Sequence, residues 1–267
     1  MSGDLDAVAE QFVEAKRRAR LLDEVPALKF ERAYEIAHGI HRLRNADGEI
    51  GVGRKIGFTN PRMWAQYGAE APLWAHVYDT SVHDVESESG AARFDLRETV
   101  QPKIEPEIVF RLSRVPAAGS SRQALLDCID WVAHGFEIVD SHIADWRFTP
   151  AQAVADFGLH HALLIGDRKT MGEIADAERR LGEFDIELLC DGEVRDRGTG
   201  ASVLGHPLNA ILYLVDALAK ASHLPQLRAG EVITTGTLTA ALPIRPGERW
   251  STKISGIELA RMQVEFR

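Results

Sequence analysis

The sequence predicts an α+β protein, with a mixed, mainly antiparallel β core, helices packed outside it and a helical layer at the N-terminus. Three observations lead there. Clear helical periodicity is concentrated in the first fifty residues and a few later segments, and the rest reads as short strands broken by Gly, Asn, Pro and Ser. Strand and helix do not alternate regularly, which disfavours a doubly wound sheet. No Gly-rich fingerprint stands between a strand and a helix, which argues against a dinucleotide or P-loop enzyme.

From Leu5 to about Leu22 the apolar residues Leu5, Val8, Ala9, Phe12, Ala15, Ala19 and Leu22 recur at three and four, the spacing of a helix with one buried face. A second helix is expected over Lys29 to Asn45, with Pro26 as the breaker between them and a turn at Asp47-Gly48. Neither has enough apolar surface for its own core, so residues 1–50 are expected to be a layer on the main domain, residues 51–267. After Gly53, the runs IGF, Trp74 to Tyr78, ARFDL and IEPEIVF read as strands, and Ser121 to Ala133 reads as a helix capped by Ser120 or Ser121. GFEIVD and HALLIG are strands, FDIELLCDGEVRDRG is a hairpin turning at Asp191-Gly192, and HPLNAILYLVDALAKA is an apolar helix with Pro207 in its first turn. The remainder is strand and turn.

The 267 residues carry a net charge of −9, with Lys and Arg scattered along the chain, so neither nucleic acid nor an anionic membrane is an expected partner. Cys128 and Cys190 belong to no ligand pattern and are expected to be reduced core thiols. The acidic, amphipathic start is unlike a secretory signal and no segment reads as a membrane span, so a cytoplasmic protein is expected.

VQPKIEPEIVF, Val100 to Phe110, places Glu105 and Glu107 on one side of a strand, with Cα atoms roughly 6 to 7 Å apart. Either that face meets water, or the two carboxylates share a hard divalent cation, which takes oxygen ligands. Pro106 between them implies an edge, a strand end or a bulge. Glu137, between Phe136 and Ile138 in an apolar strand, is a third carboxylate, and in such a place it must be paired, protonated or metal-bound. Asp140 and Asp145 follow it, as acceptors supporting the ligands from behind or as helix caps. Lys55, in GRKIGFTN, is either a strand residue reaching for solvent or a partly buried ammonium that binds a substrate carboxylate and moves protons.

These residues carry a resemblance. KIGFT, IEPEI, FEIVDS with its IADW, VAD, GHPLNA and the closing GTLT look like the 2-keto-4-pentenoate hydratase and 4-oxalocrotonate decarboxylase family, within the fumarylacetoacetate hydrolase superfamily. The motifs keep the family's order over nearly the whole chain. The resemblance implies a mixed β-roll core, a magnesium or manganese ion held by Glu105, Glu107 and Glu137, and a role in the catabolism of aromatic ring-cleavage products. It makes Lys55 an active-site residue, matches Asp79 to a family acid assisting proton transfer, and puts Thr237 where a small polar group meets the substrate carboxylate. A small-molecule 2-oxo acid is the implied substrate and a homo-oligomer the expected assembly. One departure stands out. Where the family continues VAD with Asn-Ala-Ser-Ser, this chain has Phe157, Gly158, Leu159, His160 and His161; neighbours on a strand face opposite sides, so at most one of the two histidines is expected to enter the pocket, where it would meet the distal end of the substrate.

The family chemistry offers two lyase reactions from one metal-stabilised dienolate: hydration of a 2-hydroxy-2,4-dienoate, the favoured expectation, or decarboxylation of a 2-oxo-3-enedioate. Acylpyruvate C–C hydrolysis calls for a His and Glu at helical spacing, which Thr59 to Ala71 lacks. A non-catalytic, metal-stabilised binding protein would be expected to have lost Lys55.

Overall fold

In the computed structural model, residues 2–61, 64–85 and 92–267 are described. The chain opens with α1 (Ser2–Arg17) and α2 (Phe30–Ala46), whose apolar stripes meet each other. Ala9, Phe12, Ile36 and Ile40 lie in one buried cluster with Val139, Phe148 and Val154 from later in the chain. The helical layer is therefore packed directly onto the β core.

Two sheets follow among the described residues. The larger is built from β1 (Gly51–Gly57), β2 (Leu73–Tyr78), β3 (Val82–Asp84), β5 (Lys103–Leu112), β6 (Ile129–Val139), β7 (His160–Lys169), β10 (Val232–Thr237) and β11 (Leu242–Pro243). Its order is β2-β1-β10-β5-β6-β7-β3, with β11 added beside β5. The smaller is built from β4 (Ala92–Phe94), β8 (Asp185–Cys190), β9 (Glu193–Thr199), β12 (Arg249–Ser255) and β13 (Gln263–Phe266), in the order β4-β13-β12-β8-β9. Most pairings are antiparallel, but β1 with β10, β3 with β7 and β4 with β13 are parallel. Ile104, Phe136 and Ile138 of the larger sheet pack against Leu188, Trp250 and Phe266 of the smaller one. The opposite face of β5 and β6 is left for Glu105, Glu107 and Glu137.

Shorter helices close the gaps: α3 (Trp64–Tyr67), α4 (Arg122–Leu126), α5 (Pro150–Ala155) and α6 (Ala177–Glu183), followed by the longer α7 (Pro207–Lys220). The step from β8 to β9 turns at Asp191 and Gly192, both at positive φ, as the Asp-Gly pair predicts. Thr149 caps α5 in a reciprocal box with Gln152. α7 starts on Pro207 and buries Leu208, Ile211 and Leu214. Together with the preceding turn, Gly200–Lys220 is long and apolar enough to cross a membrane by length and composition, contrary to the expectation that no segment would be. Half of that stretch is buried inside the protein, as in a core helix. Cys128 and Cys190 are free and buried.

Two further expectations change. The helix beginning at Ser121 ends at Leu126 as α4, capped by the Ser121 hydroxyl, which accepts from Ala124 N. Ile129 onward belongs to β6, because Trp131, Val132 and Ala133 pair across to β5 and that long-range pairing outweighs local helical spacing. β5 is also a central strand, flanked by β10 and β6. Pro106 is tolerated because its carbonyl, which accepts from Leu238 N, faces the break between β10 and β11. A missing N–H on that side therefore costs no regular ladder bond, and the bulge in β10 between Thr234 and Thr237 lies next to it.

Candidate metal centre and substrate cavity

β5 and β6 run antiparallel with Glu105 directly opposite Glu137 and Glu107 opposite Gly135. Alternation then puts all three carboxylates on one face. One oxygen from each lies within 4.8 Å of the others. Glu107 and Glu137 are fully buried, while Glu105 is partly open to a cavity. Glu107 is held by the bulged end of β10: its Oε2 accepts from Gly236 N at 2.8 Å and from the Thr234 hydroxyl. Its Oε1, like Oε2 of Glu137, is buried with no hydrogen-bond partner among the described residues. Buried carboxylate oxygens left in this state are costly, and a divalent ion is the ligand that three converging oxygens suit.

Lys55 comes from β1 and is 2% exposed. Its Nζ donates to Gly158 O at 2.9 Å and lies 3.2 Å from Glu137 Oε2, an ion pair without good hydrogen-bond alignment. Burial alone lowers a lysine pKa, but Glu137, Glu105 and Glu107 outweigh it and raise that of Lys55. Burial pushes Glu105 up to about 7. Burial and its two carboxylate neighbours raise Glu107 well above the usual range. Glu137 goes the other way: burial is overcome by Lys55 and by a hydrogen bond from His160, and its pKa falls. So Glu137 is the best-stabilised anion of the three, and a cation would offset the cost of charge on the other two.

A cavity of about 350 Å³ opens beside this cluster. Lys55 and Glu105 bring the carboxylate cluster to it, and Asn60, Asp196, Arg197, Ser202, Thr237 and Thr239 are further polar groups in its lining. Phe58, Tyr67, Trp146 and Phe148 form an aromatic wall, in which Tyr67 stacks on Phe148 at 5.9 Å between ring centroids. Leu73 and Leu159 complete the apolar side.

The fumarylacetoacetate (FAA) hydrolase C-terminal family matches residues 76–265. The chain belongs to that family. It is 32% identical to 2-hydroxyhexa-2,4-dienoate hydratase of Comamonas testosteroni over 265 residues, 97% of either chain. It is 31% identical to 4-oxalocrotonate decarboxylase of Pseudomonas putida over 259 residues, 94% of this chain and 93% of the relative. Among solved structures, the 4-oxalocrotonate decarboxylase of Pseudomonas putida G7 complexed with magnesium and adipate superposes with a TM-score of 0.89 at 28% identity, covering 100% of this chain and 98% of that one. The fumarylpyruvate hydrolase of Pseudomonas aeruginosa shares the fold, with a TM-score of 0.63 at 18% identity over 80% of this chain and 88% of that one. A family structure thus holds magnesium, and the three carboxylates here present the oxygen donors such an ion takes.

Within this family site the other expected residues fall in different places. Thr237 lines the cavity, but its hydroxyl donates to Thr239 O at 3.0 Å, within its own turn. Asp140 is buried and accepts from Val100 N at 2.8 Å and Gln101 N at 2.6 Å, so it anchors the approach to β5 rather than touching a ligand. Asp79 is exposed, and its carboxylate accepts from Ile50 N and Thr80 N. It ends β2 as a turn residue outside the cavity, and Leu73 occupies the wall near Lys55 instead.

The two histidines do face opposite ways, as neighbours on a strand must, but neither lines the cavity. His161 stands against Phe94 and borders a separate space with Lys16 and Arg44. His160 meets Glu137 at 2.7 Å. The aromatic wall is signalled in the sequence by Phe58 in KIGFT and Trp146 in IADW, motifs quoted above for other residues. Tyr67 and Phe148 lie in no quoted motif, and no local pattern connects the four rings.

Proposed function

We propose that this protein is a divalent-metal-dependent lyase of the 2-hydroxypenta-2,4-dienoate (2-keto-4-pentenoate) hydratase type, acting on dienoic acids from aromatic ring cleavage. The observation that supports the choice of hydratase is the group of four aromatic rings in the cavity lining, with few cations beside it. Among the described residues, Lys55 and Arg197 are the only Lys or Arg in its lining. Lys55 belongs to the carboxylate cluster, and the Arg197 side chain is 70% exposed and paired with Glu187 at 2.9 Å. Lys103 Nζ lies over the Trp146 ring, 3.7 Å from its centroid, outside the lining. An apolar or methyl-ended tail would bury favourably against the rings, where the lining itself offers a second substrate carboxylate no free cation.

Magnesium or manganese held by Glu105, Glu107 and Glu137 would supply Lewis acidity at the carboxylate and 2-oxygen of the substrate. The side chains do the rest. Lys55 pairs with the substrate's carboxylate end and moves a proton. Glu137 and Gly158 O keep its ammonium aimed at the cavity. The reaction balances as loss of the enol proton from O2, delivery of a proton to C5, and addition of water across C3=C4 with the hydroxyl on C4. Leu73, Leu159 and the aromatic wall limit bulk water around the diene. A homo-oligomer in the cytoplasm completes this reading.

Decarboxylation is the second reading, favoured by the close superposition on the decarboxylase structure and by Arg197 at the cavity rim. The test supplies the purified protein and magnesium with 2-hydroxyhexa-2,4-dienoate or with 2-oxohex-3-enedioate, following ultraviolet loss and carbon dioxide release. Hydration predicts turnover of the monoacid without carbon dioxide. Faster turnover of the diacid with stoichiometric carbon dioxide would replace hydratase by decarboxylase.

A further inference from the structure

The segment Phe157 to His160, where the sequence leaves its family's pattern, has an unusual backbone. Phe157, Gly158 and Leu159 all have positive φ, at 56°, 61° and 67°. Two of these carry a Cβ and are uncommon in the left-handed region, so the surroundings must dictate the path. They do so from both ends. Asp156 accepts from His142 N at 2.8 Å and pairs with His142 Nδ1 at 2.6 Å. Lys16 Nζ donates to His160 O at 3.1 Å.

This path has two consequences at the site. It turns Gly158 O onto Lys55 Nζ, and a Cβ at Gly158 would sit 2.7 Å from Ala75 Cβ and 3.1 Å from Lys55 Cδ. It also starts β7 with a bulge. Ile138 pairs with Ala162 but Val139 pairs with His160, leaving His161 as the extra residue. A bulge re-aims the side chain beside it. Here His160 turns under Glu137, its Nδ1 2.7 Å from Oε1 and its Nε2 2.9 Å from Ser81 Oγ. Both side chains of the His160–Glu137 pair are essentially inaccessible, at 1% and 0% exposure. Against an ionised carboxylate Nδ1 is the donor, and Nε2 faces the Ser81 hydroxyl, whose single proton has both Nε2 at 2.9 Å and Tyr78 O at 3.0 Å within reach.

We propose that His160 is a positioning residue for the metal centre: its Nδ1–H fixes Oε1 of Glu137, so that Oε2 is presented toward Glu105 and Glu107 in the geometry an ion needs. The same bracket, through Gly158 O, sets Lys55 against that carboxylate, linking the proton-moving group to the metal ligand by one short segment. A histidine thus takes a place where the family carries a small polar residue, and its work lies behind the ligand, away from the substrate. The proposal rests on the three-carboxylate metal reading but not on the identity of the substrate.

Metal affinity without substrate separates the two. Magnesium binding is measured by calorimetry for the parent, His160→Ala, His160→Asn, Ser81→Ala and, as control, His161→Ala, with melting temperature and kcat at saturating magnesium recorded for each. Loss of a group that orients a ligand typically weakens metal binding about 10- to 100-fold. His160→Ala is expected to fall in that range. His160→Asn, whose amide N–H lies where Nδ1 lies, is expected to recover most of the loss, and Ser81→Ala to lose a few-fold. His161→Ala should bind as the parent does. Should His160→Ala not fold, the Asn and Ser81 variants carry the test. Parental affinity in His160→Ala, or equal losses in the Ala and Asn variants, overturns the proposal. A parent that binds no magnesium removes the metal reading and the proposal with it, whereas tight magnesium binding without turnover of either dienoate or diacid removes only the proposed substrate.

Discussion

The two ends of the cavity are built on different principles. At the charged end, Glu105, Glu107, Glu137 and Lys55 stand on strands of one sheet, each placed by its register, and Glu107, Glu137 and Lys55 are further held by hydrogen bonds with neighbouring elements. At the tail end, Phe58, Tyr67, Trp146 and Phe148 come from loops and single helical turns and pack on one another's rings, with Trp146 also donating to Gln101 O and covered by the Lys103 ammonium at 3.7 Å. Strands place charge accurately, which an ion demands. Loops enclose an apolar tail, which needs only shape and dryness. The charged end is therefore expected to decide whether a reaction occurs, and the tail end on which acid.

The largest effect should come from the ligands. Glu107→Gln keeps the shape and the acceptor for Gly236 N but removes the charge, and is expected to lose magnesium affinity by about a hundredfold or more, with turnover falling in parallel. Calorimetry showing parental binding would move the metal elsewhere. Chelation of the parent should mimic the variant, and added magnesium should restore the parent alone.

Lys55→Ala comes next. The ammonium offsets the carboxylate charge without ligating the ion, so metal binding should survive while kcat falls about a hundredfold or more. Removing the cation leaves Glu137 without its nearest counter-charge, so magnesium affinity should hold or rise. A near-parental rate at saturating magnesium would reduce Lys55 to a structural residue and leave the charged end without a proton carrier.

How legible each end is in the sequence follows from the same contrast. Period-two alternation exposes Glu105 and Glu107 as a pair, and a Glu inside the apolar run Phe136 to Val139 announces a charge that needs a partner, so the carboxylate cluster can be read before any fold is known. The central place of β5 could not be read, since Pro106 looks like an edge until the gap between β10 and β11 is seen beside it. The boundary at Leu126 was hidden because Ser121 caps a real helix and the apolar run after it fits either period. The tail wall has no local pattern, because its four rings are brought together by tertiary packing alone. His160 and His161 were legible as facing opposite ways but not as to what they face, which depended on a bulge one residue wide.

The tail end should yield a smaller, selective effect. Tyr67 is half-buried, edges the cavity and stacks on Phe148, and burial with the nearby Glu105 raises its phenol pKa, so it links the aromatic wall to the carboxylates without being one of the three. Tyr67→Ala should raise KM for a six-carbon dienoate about tenfold, the worth of a few lost apolar contacts, with a smaller change for the five-carbon homologue and little change in kcat. Equal changes for both substrates would show that the wall does not sense tail length.

Asp79 should give the smallest effect, and it draws the boundary of the charged end. A carboxylate directly after the buried stretch of β2 resembles a catalytic acid in sequence, yet its oxygen accepts from Ile50 N at 2.9 Å and Thr80 N at 3.0 Å on the exposed side of the sheet. Those bonds tie the start of β1 to the end of β2, a capping duty that an amide oxygen performs as well. Asp79→Asn should therefore keep kcat within about twofold and leave the melting temperature nearly unchanged, while Asp79→Ala should lose about 1 kcal/mol of stability, as a lost cap does, without losing turnover per folded molecule. If Asp79→Asn instead lost turnover at parental stability, the acid would have to reach the substrate in a conformation other than this one, and Lys55 would no longer be the sole proton carrier of the charged end.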